Sequence, residues 1–233
     1  MPDAMILAAG LGTRLRPITQ SMPKPLIPVG GKALVDRVID ELIAEGISRF
    51  AINIHAHAGQ MHAHIAQLRR LHRDCRFRFA DETLNLLGTE GGVRSSLRLI
   101  ETDPFLVANA DSFWAEGADR PLKRMMEAMK DDADVVLLCV RPQRATGFRG
   151  APDFDFANGK LLPPGKGEPV IYAGRALMRR WLFDAPPPGT ALSAHFHDAM
   201  DVGRLKGVLL DADWLHVGDA AAIVETEARL AGR

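Results

Sequence analysis

Short apolar runs alternate with amphipathic segments of helical period through the first 141 residues, and this alternation constrains the fold most. Apolar runs typical of buried strands cover residues 4–9, 49–54, 104–111 and 133–141. Between the first runs, apolar residues recur every three or four positions, as in residues 35–42 and 61–71. The pattern predicts an α/β fold with a doubly wound, mostly parallel sheet and right-handed crossovers. Ligands of such sheets bind at the carboxyl ends of the strands.

The second part of the chain has a different character. An Asn-Gly pair at residues 158–159 predicts a hairpin. The elements predicted after it are a strand at 169–174, a helix through Leu177, Trp181 and Leu182, a helical stretch from Ser193, and a strand pair followed by a C-terminal helix in residues 207–230. We expect one domain, residues 1–233, made of a larger half (1–141) and a smaller mixed half (142–233).

The charge balance narrows the class of partner. Lys and Arg together number 29, as do Asp and Glu, so the formal net charge is +0. Proteins that bind nucleic acid or a membrane surface usually carry a basic excess, so we expect neither partner. The N-terminus lacks the pattern of a signal peptide, and no apolar stretch approaches the ~20 residues that span a bilayer. With its two cysteines in apolar runs, the chain fits a reduced, cytoplasmic protein.

The segment after the first strand, ILAAGLGTRLRPITQSMPKPLIPVGG, combines glycines, prolines and cations. Gly10 and Gly12 let the backbone approach a ligand and present N–H groups to phosphate oxygens. Arg14 adds a guanidinium, and Lys24 is aimed by the prolines on either side of it. There is no third glycine, so this is not the dinucleotide-binding fingerprint. Asp111 ends another predicted strand, which brings a carboxylate to the same edge of the sheet.

The stretch LAAGLGTRLRPITQSMPKPLIPVGGKAL resembles the signature of the nucleoside-diphosphate-sugar pyrophosphorylases, also called sugar-1-phosphate nucleotidylyltransferases. LVANADSFW, VIYAG and WLHVG are most similar to the members that transfer uridylyl groups to N-acetylmuramic acid 1-phosphate in bacterial cell-wall recycling. The resemblance implies a Rossmann-like nucleotidyltransferase fold. It also implies an enzyme that converts an NTP, with UTP favoured, and a sugar 1-phosphate to an NDP-sugar and pyrophosphate. It makes residues 1–141 the nucleotide-binding half and 142–233 the sugar-binding half.

The resemblance also implies roles for individual residues. Arg14 and Lys24 are the implied catalytic cations, and Asp111 is the implied ligand of Mg²⁺. The implied nucleotide contacts are Ala8, Ala9, Gly10, Gly12, Thr13, Thr89, Gly91, Gly92 and Asn109. The implied sugar contact is Gly174. Apart from the resemblance, Glu82 follows a predicted strand, and its carboxylate would either bind sugar hydroxyls or solvate a turn. The resemblance leaves the oligomeric state open between a monomer and a small homo-oligomer.

The family's second metal-binding aspartate is replaced here. In WLHVGD, His216 stands at that position and Asp219 follows it. An imidazole suits softer divalent ions better than it suits Mg²⁺. Three readings stay open: His216 coordinates the metal with a preference for Mn²⁺, it hydrogen-bonds a metal-bound water, or the site is weakened. Asp219 is a further candidate ligand.

The turn LLGTEGGV differs from the L-E-T-G-G-G of the uridylyltransferases and resembles the turn of guanylyltransferases for mannose or heptose 1-phosphate. The carboxylate of Glu90 would either face solvent or accept hydrogen bonds from guanine. A guanylyltransferase is therefore the alternative enzyme. A non-catalytic nucleotide-sugar sensor is the alternative of another class, because His216 replaces the usual aspartate.

Overall fold

The computed structural model describes residues 1–114, 119–130, 132–185 and 189–232. The strands are β1 (Ala4–Leu7), β2 (Pro28–Val29), β3 (Lys32–Ala33), β4 (Arg49–Ile54), β5 (Arg76–Asp81), β6 (Phe105–Asn109), β7 (Ser112–Trp114), β8 (Val135–Val140), β9 (Ala145–Thr146), β10 (Phe154–Ala157), β11 (Lys160–Leu162), β12 (Glu168–Met178), β13 (Leu205–Leu209) and β14 (Trp214–His216). The α-helices are α1 (Leu34–Ala44), α2 (Ala58–Leu71), α3 (Gly88–Ser96), α4 (Leu122–Ala128), α5 (Ser193–Asp201) and α6 (Ala220–Ala231).

Nine strands form one sheet in the order β10-β11-β13-β8-β12-β6-β1-β4-β5. β1 is parallel to β4 and β6, β4 is parallel to β5, and β13 is parallel to β8, whereas β12 is antiparallel to both of its neighbours β6 and β8. The predicted doubly wound, mostly parallel sheet is confirmed. Because β1, β4 and β6 run the same way, their carboxyl ends meet at one edge.

Helices cover both faces of this sheet. Val38 of α1 and Ile65 of α2 are fully buried in the core of one face, while Val93 of α3 and Phe196 of α5 pack on the other. In α1, apolar residues recur at helical spacing and form the buried face. The helix ends before Gly46, whose φ of 89° is disfavoured for residues with a Cβ. The apolar side chains of the strands, together with those on one face of each helix, thus form a hydrophobic core on each side of the sheet.

Two predictions for the second half are wrong. Leu177 lies in β12, which continues to Met178, and Trp181 and Leu182 follow in the short 3-10 helix Arg180–Phe183. A strand inserted between two others is buried on both faces, so its apolar run resembles that of a buried helix. The predicted strand pair also does not form: β13 joins the large sheet, whereas β14 pairs with β7 and β9 in a separate three-stranded sheet.

The boundary at residue 141 does not divide the sheet. β12, from the second half of the chain, lies between β6 and β8 of the first half. The assignment of one domain with two functional halves stays a prediction. Within the described residues, no helix has the length and apolar character required to cross a bilayer.

Candidate active site

A cavity of about 360 Å³ opens at the carboxyl ends of β1, β4 and β6. The backbone of Ala8, Ala9 and Gly10, which continues from β1, forms part of its wall. Asn109 and Asp111, at and after the end of β6, form another part. Strand ends and the turns that follow them therefore supply the site, as expected for a sheet of this kind.

The glycine- and proline-rich segment folds over this cavity and contributes Gly12, Thr13, Arg14 and Lys24 to its lining. Gly12 has a φ of 59°, and a Cβ there would lie 2.8 Å from Cγ2 of Thr19 and 3.0 Å from Cβ of Lys24. The carbonyl oxygen of Gly12 accepts a 2.9 Å hydrogen bond from Thr19 Oγ1. The conformation thus requires glycine at this position, because a side chain would displace Lys24.

Lys24 and Asp111 form an ion pair at the cavity. The Nζ of Lys24 lies 2.5 Å from Oδ2 of Asp111, and the two side chains are 12% and 24% exposed. Burial alone would raise the pKa of Asp111, but the charge of Lys24 holds that pKa below its usual value. The carboxylate is therefore ionised at neutral pH.

His216 approaches the same carboxylate. Its Nε2 lies 3.8 Å from Oδ2 of Asp111, and its Nδ1 faces the carbonyl oxygen of Gly147 at 3.5 Å. The ring stacks on Trp214, and burial lowers the pKa of His216. A neutral ring that donates from Nδ1 to a carbonyl leaves the Nε2 lone pair facing Asp111, which is the arrangement of a metal-binding histidine.

Asp219 does not join this pair. Its Oδ1 accepts a 2.9 Å hydrogen bond from the backbone N–H of Ala222 and caps α6, which lowers the pKa of Asp219. An aspartate directly before the first turn of a helix is typical of such a cap. The role of Asp219 as a metal ligand stays a prediction. In the described parts of the chain, no three His, Cys, Asp or Glu side chains lie close enough to hold an ion by themselves. Asp111 and His216 fit a divalent ion whose other ligands come from a bound phosphate.

Glu82 lies beneath the cavity wall and not in it. The backbone N–H of Ala8 donates to Asn53 Oδ1 at 2.7 Å, and Asn53 Nδ2 donates to Glu82 Oε1 at 2.7 Å. The other oxygen of Glu82 accepts from the N–H of Leu87 at 3.1 Å. Both oxygens of Glu82 thus accept hydrogen bonds and the residue is buried, and its contact with a sugar stays a prediction.

The predicted glycine turn forms the first part of α3. Thr89 lines the cavity, but Gly91 and Gly92 do not. A Cβ on Gly92 would lie 2.6 Å from Asn53 Nδ2, and one on Gly91 would lie 2.9 Å from Cβ of Leu87. Gly92 therefore lets α3 approach β4 closely, whereas Gly91 lies against Leu87 at the start of α3 itself. The nucleotide contacts expected of both glycines stay predictions.

Glu90 faces neither solvent nor the cavity. It is buried, and its Oε1 accepts hydrogen bonds from Arg94 at Nε (3.0 Å) and Nη2 (2.7 Å) and lies 3.5 Å from His195 Nε2. The expectation of a solvent-facing carboxylate is wrong, and the alternative of a guanine contact has no support because the charge is already paired. Leu192 N donates to Thr89 Oγ1 at 2.8 Å beside it.

Gly174 lies behind the turn between β6 and β7. Its φ is 78°, and a Cβ would lie 2.4 Å from Ser112 Oγ and 3.2 Å from Cβ of Asn109. Glycine is therefore required for β12 to pass beside Asn109, which lines the cavity. Gly174 does not line the cavity itself, and its contact with a sugar stays a prediction.

Comparison with known proteins agrees with this geometry. The family model described as Nucleotidyl transferase matches residues 3–158. The chain belongs to the nucleotidyl transferase family. It is 35% identical over 98% of its length to the N-acetylmuramate alpha-1-phosphate uridylyltransferase of Caulobacter vibrioides, of which 96% is covered. A Neisseria meningitidis protein of the same name is 29% identical, with 98% of both chains covered.

Solved structures share the fold of this nucleotidyl transferase. A UDP-glucose pyrophosphorylase complexed with UDP-glucose superposes with a TM-score of 0.81 at 17% identity, with both chains fully covered. The inositol-1-phosphate CTP transferase from T. maritima gives a TM-score of 0.77 at 18% identity, over 99% of this chain and 96% of that one. The predicted Rossmann-like nucleotidyltransferase fold is confirmed.

Several residues at the site of this nucleotidyl transferase were not predicted from its sequence. Asn53 orients the backbone of Ala8, and Leu86 and Gly218 line the cavity. A Cβ on Gly218 would lie 2.6 Å from Cε1 of His216 and 3.4 Å from Nη1 of Arg14. A polar residue inside an otherwise apolar strand was the available signal for Asn53, and the stretch WLHVG, which ends at Gly218, was the signal for that glycine. Leu86 carried none.

Proposed function

We propose that this protein transfers the uridylyl group of UTP to N-acetylmuramic acid α-1-phosphate, releasing pyrophosphate. The observation that carries the proposal is the convergence of Arg14, Lys24 and Asp111 on one cavity at the strand ends. This set matches the needs of phosphoryl chemistry, in which positioning and charge neutralisation provide most of the catalysis. The choice of base and sugar is supported by the two uridylyltransferases that match along nearly the whole chain.

The proposed reaction needs no nucleophile from the protein. An oxygen of the sugar phosphate attacks the α-phosphorus of UTP and forms a new P–O bond. The bond between the α-phosphorus and the bridging oxygen breaks, and its electron pair leaves with pyrophosphate. Negative charge develops on the α-phosphate and on the leaving group, so cations are required at both places.

The residues of the cavity divide these tasks. Gly12 and Arg14 hold the β- and γ-phosphates, and a guanidinium suits them because it can bind two phosphate oxygens at once. Lys24 neutralises the α-phosphate and the incoming sugar phosphate. The backbone of Ala8–Gly10, with Thr13, Thr89 and Asn109, contacts the base and the ribose. The sugar lies toward Gly174 and the second half of the chain.

Asp111 and Nε2 of His216 would hold a divalent cation, Mg²⁺ or Mn²⁺, together with phosphate oxygens of the nucleotide. When bound, this cation would neutralise charge on the reacting phosphates. Lys24 then exchanges its partner: its Nζ, paired with Asp111 in this structure, turns to the α-phosphate. We place the enzyme in the cytoplasm, in peptidoglycan recycling, as a monomer or small homo-oligomer.

Two alternatives have less support. A guanylyltransferase for mannose or heptose 1-phosphate would use the turn LGTEGG, but Glu90 is paired with Arg94. The mannose-1-phosphate guanylyltransferases of Aspergillus fumigatus and Mycobacterium tuberculosis match over only 35% and 52% of their own length, against 96% and 98% for the two uridylyltransferases. A non-catalytic sensor would not need both Arg14 and Lys24 in the cavity.

Pyrophosphate release tests the proposal. Purified protein is assayed with each of the four NTPs against N-acetylmuramic acid, mannose and heptose 1-phosphates, in Mg²⁺ and separately in Mn²⁺. We expect release with UTP and N-acetylmuramic acid α-1-phosphate. Release only with GTP would support the guanylyltransferase, and nucleotide binding without release in either metal would support the sensor.

A further inference from the structure

Arg175 is an arginine that the sequence analysis passed over, and it is almost completely buried. It follows Gly174 in β12, and its side chain is 1% exposed. Its Nη2 donates to Oε1 of Glu41 at 2.9 Å, and the guanidinium lies 5.3 Å from the ring centroid of Trp114. Removing a charge from water is costly, so a buried guanidinium seldom stabilises a fold more than an apolar side chain of similar size would. The pair therefore calls for an explanation beyond stability.

Arg175 donates hydrogen bonds to backbone carbonyl groups on both sides of Asp111 in the sequence. Nη1 donates to the carbonyl oxygen of Asn109 at 3.2 Å, and Nη2 donates to that of Ser112 at 3.0 Å. These two carbonyl groups lie on either side of Asp111. Nη1 also donates to the carbonyl oxygen of Gly174 at 3.0 Å. One guanidinium thus fixes the turn that carries Asp111 to the strand beside it.

Glu41 extends this connection to the loop that carries Lys24. It lies on α1, and its Oε2 accepts a 3.4 Å hydrogen bond from the N–H of Trp114, just after the same turn. α1 begins directly after the glycine- and proline-rich segment, where Leu34 N donates to the carbonyl oxygen of Ile27 at 3.2 Å. Arg175 and Glu41 therefore connect the two segments whose side chains meet as Lys24 and Asp111.

We propose that Arg175 and Glu41 are positioning residues, which hold the Asn109–Ser112 turn so that the Asp111 carboxylate faces Lys24 and a divalent cation. Neither residue touches substrate. Lysine could not replace Arg175, because an ammonium group lacks the planar fork that reaches three carbonyl oxygens and Glu41 together. The inference rests on the proposed function in one respect, the assignment of Asp111 to the cation.

Binding of Mn²⁺ to the intact protein in the presence of UTP and without sugar 1-phosphate, followed by equilibrium dialysis of the ion, tests the inference without turnover. We expect Arg175→Lys to weaken Mn²⁺ binding by about 10-fold or more, the range seen when a residue behind a metal ligand is replaced. Glu41→Ala should weaken it likewise, whereas Glu41→Gln should restore it, because an amide oxygen can still accept from Arg175. If Arg175→Lys does not fold, the comparison of the two Glu41 variants decides.

Asp3→Asn is the matched control for lost stability. Asp3 is also buried and accepts hydrogen bonds from Arg49 and from the N–H of Glu101, but it precedes β1, at the end of the strand away from the cavity. This variant should be destabilised and bind Mn²⁺ as the wild type does. Folded Arg175→Lys and Glu41→Ala proteins with wild-type Mn²⁺ binding would overturn the inference.

The variant Asp111→Asn distinguishes a failure of the positioning inference from a failure of the proposed function. If Asp111→Asn weakens Mn²⁺ binding and the Arg175 and Glu41 variants do not, only the positioning role is wrong. If Asp111→Asn itself binds Mn²⁺ like the wild type, the assignment of the cation to Asp111 is wrong, and the positioning proposal fails with it.

Discussion

The Nζ of Lys24 and Oδ2 of Asp111 lie 2.5 Å apart, although 86 residues separate them in the chain. The loop after β1 supplies the cation, and the turn after β6 supplies the carboxylate. In the proposed reaction these two groups act on the same α-phosphate, one directly and the other through a cation. Their contact brings the loop after β1 and the turn after β6 together at the cavity.

Removing Lys24 tests its role in catalysis. Lys24→Ala should lower kcat by about 10²–10³-fold, the cost of losing one group that stabilises developing charge. Lys32→Ala is the control, because Lys32 pairs with Asp40 on α1 and does not line the cavity. Steady-state kinetics of both variants checks this. Near-native kcat in Lys24→Ala would remove the lysine from the reaction.

Asp111→Asn should raise the metal concentration needed for half-maximal activity, because an amide is a weaker ligand than a carboxylate. Asp219→Asn is a sharp control: asparagine also caps helices well, so α6 should be kept and the metal dependence should not change. Titration of both variants with Mg²⁺ distinguishes them. Equal shifts in the two would contradict the different placements of Asp111 and Asp219.

His216→Asp tests whether the imidazole meets the cation. A carboxylate is a harder ligand, so the variant should require less Mg²⁺ relative to Mn²⁺ than the wild type. The ratio of the two half-saturating concentrations is the measurement, because it is insensitive to a general loss of activity. An unchanged ratio would remove His216 from the cation's ligands.

Glu90→Gln tests the structural reading of the turn LGTEGG. The change should lower the free energy of unfolding by about 1–3 kcal/mol, because Arg94 loses a charged hydrogen-bond partner. It should leave the ratio of kcat/KM for UTP and GTP unchanged. Urea denaturation and kinetics with both nucleotides measure the two effects. A variant of native stability with an altered base preference would return Glu90 to the nucleotide site.

We expect the free energy of unfolding to depend on pH through the protonation of Glu41. Burial raises the pKa of Glu41 from 4.5 to about 8, with Arg175 opposing that shift. Between pH 4.5 and about 8, Glu41 is ionised in the unfolded chain but protonated in the folded chain. Its contribution to the free energy of unfolding therefore decreases as the pH rises. In urea denaturation, the free energy of unfolding of the wild type should exceed that of Glu41→Gln by more near pH 4.5 than near pH 8. Glu127→Gln, at an exposed site, should show no such trend.

Local patterns predicted much of the fold. β4 and the helices α1 and α2 follow from apolar periodicity, and the hairpin of β10 and β11 follows from its Asn-Gly turn. β12 was misjudged at Leu177 because burial on both faces removes the alternation that identifies a strand. β14 lies outside the large sheet because it pairs with β7, which is about a hundred residues earlier in the chain. No local sequence pattern predicts that pairing.

The site was predictable where chemistry is concentrated in a short stretch, as in the segment that holds Gly12, Arg14 and Lys24. Residues that act through others were not. Asn53, Glu82 and Arg175 are connected to the cavity by hydrogen bonds between distant segments, and only the folded chain reveals which polar groups are buried with partners.

Transfer of label from UTP tests the central claim most directly. The protein is incubated with N-acetylmuramic acid α-1-phosphate, a divalent cation and UTP that carries ³²P at either the α or the γ position, and the products are separated. We predict that the α label appears in a UDP-sugar and the γ label in pyrophosphate. Transfer of the γ label to the sugar, or no labelled UDP-sugar while another NTP reacts, would contradict the account.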